Sequence, residues 1–477
     1  MRDIFKLQFC NGAWTPSTSN KFIAVENPAT RVLFTEIPAG TIEDVDRAVR
    51  AAREALPAWS ATTLSERISV LERMLKIFID MSEEVVALET AELGAPVAFA
   101  RKKHCDYQMR RTAAFIEAAK RLTLEEAYPK SLVTREPVGV VAAITPWNYP
   151  LGQIVQKVMP ALLAGCTVVL KPSSVTPLTA CLLVEAFREA GLPAGVLNLV
   201  NGRGETLGRY LAQHPGIDML SFTGSTAVGR ELAVLAASSF KRLTLELGGK
   251  SPCVWLSGVS DWRPAAKKLF DSLLLNAGQT CTALSRLIVP EEDFENVKRV
   301  LLEVLENYPM GDPQDPTTRV GPVVSRKQFD FVKHYIELGL EEGAELLTGG
   351  VPKEPAPGEG YFIAPTIFTG VKPGMRIEQE EIFGPVLCVL TYRDEDEAVK
   401  IANDTPYGLC GAVWGPRERA IAVAKRIRSG NVYVNDAERD LAAPFGGFKA
   451  SGLGREGGLA GILEFTELKA IFEHSTF

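Results

Sequence analysis

Residues 138–174 read VGVVAAITPWNYPLGQIVQKVMPALLAGCTVVLKPSS. The apolar run Val138–Ile144 predicts a buried strand. Gly152–Ala164 predicts a helix closed by Gly165, and Thr167–Leu170 a second strand. Strand, helix and strand at this spacing form a βαβ unit, and such units imply a parallel sheet with right-handed crossovers.

The alternation continues outward. Pro177–Ala190 reads as a helix with Pro at its start and Gly191 just beyond its end. Strands at Val196–Val200, Met219–Phe222 and Leu243–Leu247 alternate with helices at Glu205–Gln213 and Ser225–Ala237. Further on, strands are expected at Cys253–Leu256, Arg286–Val289, Pro385–Thr391, Ala412–Trp414 and Val432–Asn435. Helices are expected at Asp293–Tyr308, Asp394–Asn403 and Arg417–Ser429. Pro352–Gly360 reads as a surface loop. Upstream of residue 138 the chain reads as helical: Thr41 caps one periodic run, Leu64–Phe78 forms a second, and a third runs from Ser82 to Gly94-Ala95-Pro96. The fold class is therefore α/β, with two consecutive Rossmann-like parallel-sheet domains and a seam near Gly248-Gly249. Ligands of such sheets bind at the carboxyl ends of the strands.

Composition narrows the function. The chain has 477 residues, 46% hydrophobic and 23% charged, with a formal charge of −6. At roughly 150 residues per domain, two or three domains are expected. An acidic excess without a clustered basic patch argues against nucleic acid. No stretch offers the ~20 apolar residues of a membrane span, and the N-terminal residues lack a secretory signal. Eight scattered cysteines without CxxC spacing point away from zinc and disulfides, and with them a cytoplasmic location is expected. No metal site is expected.

Five residues at strand ends or strand–helix junctions carry candidate chemistry. Cys281, in Asn276-Ala277-Gly278-Gln279-Thr280-Cys281-Thr282, sits among small and polar residues, unlike Cys388 in its apolar run. It reads as a nucleophile or as a small buried filler. Glu246 ends an apolar strand before two glycines. It reads as a general base with a pKa raised by burial, or as a partner of Lys250 or of turn amides. Asn148 offers a side-chain N–H to an oxyanion, or caps a turn. Lys171 ends a strand, and Ser225 lies in Gly224–Gly229, a strand-to-helix turn whose amides could meet a phosphate. A doubly wound fold would bring these strand ends to one crevice.

Taken in order, PWNYP (146–150), KPSS (171–174), FTGSTAVG (222–229), ELGGKSP (246–252), GQTC (278–281), EIFGPV (381–386), NDTPYGL (403–409) and PFGGFKASGLG (444–454) resemble the aldehyde dehydrogenase superfamily across nearly the whole chain. The resemblance implies NAD(P)-dependent oxidation of an aldehyde to its acid. Cys281 would add to the aldehyde, Asn148 and the Cys281 amide would hold the oxyanion, and Glu246 would activate the water that hydrolyses the thioester. Lys157 matches a lysine proposed to relay protons. Trp147, Lys171, Ser174, Gly204, Phe222, Gly224, Ser225, Leu247, Glu381 and Phe383 form the implied dinucleotide site. An aldehyde has no leaving group, so a covalent thiol adduct makes hydride departure feasible, and the nicotinamide carries the redox step.

The resemblance also implies domain limits. The cofactor-binding domain would span 1–120 and 138–248, and the catalytic domain 249–445. Segments 121–137 and 462–477 would form a small β oligomerisation unit of a homodimer or homotetramer. Ser174 stands where many NAD-preferring members have Glu, so NAD or NADP is expected, with both tolerated. Leu459 lies near the place of a second relay acid in some members. The substrate tunnel would run near Gln153, Lys157, Thr280, Thr282 and 436–441. No Arg stands in a recognised carboxylate-binding position. The alternatives are a CoA-acylating or semialdehyde-specific relative, a thiol hydrolase needing a His beside Cys281, and a scaffold without activity.

Overall fold

The computed structural model describes residues 2–472. The βαβ reading from residue 138 holds throughout the first sheet. Val140–Ile144, Thr167–Lys171 and Leu197–Leu199 lie side by side and parallel, and Met219–Thr223 and Arg242–Glu246 extend the sheet from the other edge of Val140–Ile144. This order reverses direction between Val140–Ile144 and Met219–Thr223. The crevice of a doubly wound sheet opens at such a switch point. Pro146–Asn148 and Gly224-Ser225 follow these two strands directly.

Four of these strands are fully buried, and Arg242–Glu246 is buried over its last three residues. That is the pattern of a parallel sheet covered by helices on each side. Helix Pro150–Ala164 is buried along its whole length, with Pro at its first turn and Gly165 in the left-handed conformation at its end. Helices Ile42–Ser60 and Leu64–Asp80 each begin with a capping box, Thr41 with Asp44 and Thr63 with Glu66. The reciprocal bonds satisfy two amide donors that an uncapped helix leaves free.

The chain leaves the first sheet at Glu246 and enters the second at Pro252, across the expected seam. The second sheet runs Glu345–Thr348, Thr366–Thr369, Val386–Tyr392, Arg286–Pro290, Pro252–Trp255, Cys410–Trp414, Asn431–Val434, and all but its first strand are parallel. Late in the chain, Gly452–Leu453 returns to pair antiparallel with Arg242–Glu246. Glu125–Tyr128, Ser131–Pro137 and Thr466–Phe472 form a separate antiparallel sheet. The last five residues of the expected 462–477 segment lie outside the described residues.

Several elements differ from the sequence reading. The first 40 residues hold four strands, at Gln8–Cys10, Ala13–Thr15, Phe22–Asn27 and Val32–Pro38, where a helical region was expected. Two of them are only three residues long and extend the edge of the first sheet. Helices Tyr107–Ala119, Arg263–Leu273 and Arg326–Glu341 are also additional, as are strands Glu345–Thr348 and Thr366–Thr369. No described helix is long and apolar enough to cross a membrane.

One buried ion pair ties the second sheet together. Arg286, at the start of its strand, pairs with Glu378 at 2.6 Å, and both side chains are fully buried. The guanidinium also donates to the carbonyls of Lys250, Ile401 and Ala402 at 2.8–3.0 Å. Removing one partner of a buried pair strands the other charge. Glu378→Ala is therefore expected to cost about 3–5 kcal/mol, measured by urea denaturation followed through tryptophan fluorescence; a loss under about 1 kcal/mol would contradict it.

Candidate active site

The Asn276–Cys281 turn forms the floor of the site. Ala277 and Gly278 both adopt left-handed backbone, at φ 51° and 76°. A Cβ on Gly278 would lie 1.9 Å from the Gly384 carbonyl oxygen, so the turn packs against the 381–386 segment only with glycine there. Phe383 in that segment also has positive φ, at 56°. Strained non-glycine backbone of this kind gathers where surrounding structure holds it for function. Gln279 anchors the turn: its Oε1 accepts from the Val324 amide at 2.8 Å and its Nε2 donates to the Asn276 carbonyl at 3.1 Å.

Asn148 bridges the two sheets. Its Nδ2 donates to the Gln279 carbonyl at 2.9 Å, and its own carbonyl accepts from Asn276 Nδ2 at 2.9 Å. The buried amide keeps a second N–H, two residues from the cysteine. Next to it, the Tyr149 hydroxyl shares a 3.0 Å hydrogen bond with Thr280 Oγ1.

Cys281 is partly exposed, whereas six of the other cysteines are buried. Its thiol is pushed well above the ordinary range, first by desolvation and then by the charges of Glu381 and Glu246. Glu246 sits at the end of its strand, 3% exposed. Both of its carboxylate oxygens are buried and hydrogen-bond to nothing within the described residues. Desolvation and then Glu456 raise its pKa well above that of a free carboxylate, while Lys157, Arg455 and Arg439 oppose the shift. Gly446, at φ 150°, leaves room for this carboxylate, since a Cβ there would stand 2.7 Å from Glu246 Oε1.

Lys157 lies on the apolar Pro150–Ala164 helix and is fully buried. It pairs with Glu456 at 2.7 Å and reaches Ser221 Oγ at 3.2 Å. The buried acid is thus Glu456, three residues before Leu459, the position near which no acidic partner for Glu246 was found. A lysine in an apolar helix needs an anion, and that need was the one signal in the sequence for Glu456.

Of the expected dinucleotide residues, all but Glu381 and Phe383 lie at or shortly after the carboxyl ends of the first sheet's parallel strands. Trp147 and Phe383 meet edge to face at 5.4 Å. Lys171 Nζ is buried and donates to a single acceptor, the Pro172 carbonyl at 2.9 Å. Burial lowers its pKa to about 8. Gly204 opens a helix close to this ammonium: a Cβ on it would lie 3.8 Å from Lys171 Nζ. Ser174 is half-buried on the turn after the lysine's strand. Ser225 caps helix Thr226–Ala237 by accepting from the Val228 amide, so its hydroxyl is engaged locally while the helix presents its N-terminal end. The Gly224 amide bonds the Glu246 carbonyl at 3.1 Å, and Leu247 is tied to the Ser451 carbonyl at 2.9 Å. Phe222 is buried in the strand before Gly224. Glu381 Oε1 accepts from the Gly249 amide at 2.9 Å, and desolvation raises its pKa to about 7.

A cavity of about 500 Å³ opens beside Thr282 and Cys410. Of the residues expected along the substrate tunnel, Thr282 and 437–439 line this cavity, but Gln153, Lys157 and Thr280 do not. Arg439 also lines it, a cation that the sequence reading did not single out.

The fold, the cysteine turn and the glycine-rich crevice together define an oxidoreductase architecture. Residues 14–471 match the model of the Aldehyde dehydrogenase family, and the chain belongs to that family. A putative aldehyde dehydrogenase of Staphylococcus aureus is 44% identical over 472 residues, covering 99% of both chains. Aldehyde dehydrogenase C of Pseudomonas syringae, a cysteine-to-alanine variant solved with NAD+ and octanal, superposes with a TM-score of 0.96. It is 41% identical and covers 99% of this chain and 97% of its own. A Mycobacterium tuberculosis aldehyde dehydrogenase solved with NAD+ gives a TM-score of 0.95 at 41% identity, with 99% of each chain covered.

Because desolvation and two carboxylates suppress the Cys281 thiolate, alkylation of the cofactor-free protein by iodoacetamide, mapped to Cys281, is expected to keep accelerating above pH 9. A rate that levels off at or below the ordinary thiol value would contradict it.

Proposed function

We propose that the protein oxidises an aldehyde to its carboxylic acid with NAD+ or NADP+, through a covalent adduct on Cys281. The observation that carries this reading is the convergence of a partly exposed thiol, a buried carboxylate without hydrogen-bond partners and a buried amide donor on one crevice. The relatives solved with NAD+ and with an aldehyde support it.

The crevice residues suit a dinucleotide. Lys171 has two N–H donors to spare for ribose hydroxyls, and the start of helix Thr226–Ala237 favours a phosphate. The Glu381 carboxylate is placed to accept from a nicotinamide ribose, and Trp147 and Phe383 offer apolar walls. Ser174 carries no charge that would repel a 2′-phosphate. When bound, the nicotinamide supplies the hydride acceptor.

The chain's own groups do the rest. Cys281 loses its proton and its sulfur attacks the aldehyde carbon, giving a tetrahedral thiohemiacetal. The free Asn148 N–H and the Cys281 amide stabilise the oxyanion; removing one such donor typically costs ~10²–10³ in rate. Oxidation leaves a thioester on Cys281. Glu246 then takes a proton from water as the water attacks the thioester, and the thiolate leaves. A carboxyl group raised by burial matches the proton affinity that a base needs near neutral pH. Lys157 and Glu456 lie behind it as an outlet for that proton. His104 does not serve as a base for Cys281: it contacts Glu89 at 3.1 Å and stacks on Tyr149.

We also place a subunit contact at the antiparallel sheet of Ser131–Pro137 and Thr466–Phe472, where Leu468, Ile471 and Phe472 are exposed.

Glu246→Gln is expected to slow thioester hydrolysis at least 100-fold more than formation of the reduced cofactor. The check is a pre-steady-state burst of absorbance at the nicotinamide band, run with and without CoA. Loss of the burst would count against Glu246 as the hydrolytic base, and a strict CoA requirement would favour acyl transfer. Ser174→Glu is expected to raise KM for NADP+ at least tenfold more than KM for NAD+; equal effects would remove the role given to Ser174.

A further inference from the structure

The cavity beside Thr282 is strongly cationic. Six lysine and arginine side chains line it, against two carboxylates, Asp271 and Glu438. Asp271 is already held by Lys267 at 2.6 Å and Arg319 at 3.2 Å, and accepts from the Tyr308 hydroxyl at 2.8 Å. Glu438 is exposed.

Arg439 and Arg111 make no ion pair among the described residues, although Arg439 feels Glu246 and Arg111 feels Glu456 at longer range. Arg439 has no carboxylate within 4.0 Å among the described residues. Its contacts are Gln156 Oε1 at 3.4 Å and the face of Phe445 at 4.0 Å. Arg111 is 8% exposed and has no carboxylate partner either; its Nη1 donates to Gln108 Oε1, and its Nε hydrogen-bonds to nothing. It lies 5.0 Å from the ring of Tyr107, and Lys103 lies 5.2 Å from the same ring. Tyr107, Lys103 and Arg439 all line the cavity. The groups sense one another: burial and then Arg439 lower the Arg111 pKa to about 10, and burial and then Lys102 lower that of Lys103.

Arg111 is buried and Arg439 and Lys103 are half-buried, so an anion paired with them would offset the cost of desolvating their charge. A guanidinium presents a planar fork of donors that matches a carboxylate. The remaining wall, with Phe99, Leu275 and Leu284, suits a short hydrocarbon chain.

We propose that the substrate is an ω-oxo acid, an aldehyde whose far end carries a carboxylate gripped by Arg439 and Lys103, with Arg111 reinforcing the field from behind Tyr107. This deepens the aldehyde-oxidation reading and rests on it. Arg439 and Lys103 act here as specificity determinants, since the reacting carbon sits at Cys281.

The test compares kcat/KM of the full-length protein with NAD+ for 4-oxobutanoate and 6-oxohexanoate against their neutral isosteres, 4-methylpentanal and 6-methylheptanal. At least one oxo acid is expected to be preferred tenfold or more, through KM, with the preference shrinking in 0.5 M salt. Arg439→Gln should cut that preference at least tenfold. Lys103→Gln should cut it at least threefold, and it serves if the arginine variant fails to fold. Isosteres used as well as the oxo acids, a preference unchanged in the variants that fold, or a stronger preference for 3-oxopropyl phosphate would overturn the proposal. Good turnover of the isosteres without preference would sink this inference alone. If no aldehyde is oxidised, the dehydrogenase reading falls, and this one with it.

Discussion

Two amide hydrogen bonds across the seam hold the site together. Asn148 belongs to the first sheet and the Asn276–Cys281 turn to the second, and they exchange bonds of 2.9 Å in both directions. Asn148 therefore stays joined to the cysteine turn only while the two sheets are docked. The left-handed Ala277 and Gly278, the close approach to Gly384 and the Gln279 anchor all serve that docking. Buried, well-partnered amides of this kind fix position more than they add net stability.

Around this seam the chain buries charge on purpose. The Glu246 carboxylate has no hydrogen-bond partner among the described residues, Lys157 and Glu456 neutralise one another, and Arg286 and Glu378 do the same in the second sheet. Low local polarity strengthens each of these interactions and raises the pKa of Glu246. The same desolvation that raises the Glu246 carboxyl also disfavours the Cys281 thiolate. Cofactor and substrate must then complete the environment that favours the thiolate.

Much of this was legible in the sequence, because parallel strands buried on both faces are unbroken apolar runs. Val140–Ile144 and Met219–Thr223 fall within two residues of their expected limits. Gln8–Cys10 and Ala13–Thr15 were not legible: three-residue edge pairs have no periodicity to detect. Arg326–Glu341 was legible but overlooked, since Phe329, Val332 and Ile336 recur at helical spacing. Glu456 and Arg439 are different. Each comes to the site through the return of the C-terminal segment, and nothing local distinguishes them from surface charges.

The most direct test of the account is the mass of the protein itself. Glu246→Gln would be mixed with NAD+ and an accepted aldehyde, quenched in acid and mapped by peptide mass spectrometry. The account predicts an acyl group on the peptide containing Cys281 and on no other cysteine peptide. Turnover with Cys281 unmodified, or with the acyl group on a different residue, would contradict it.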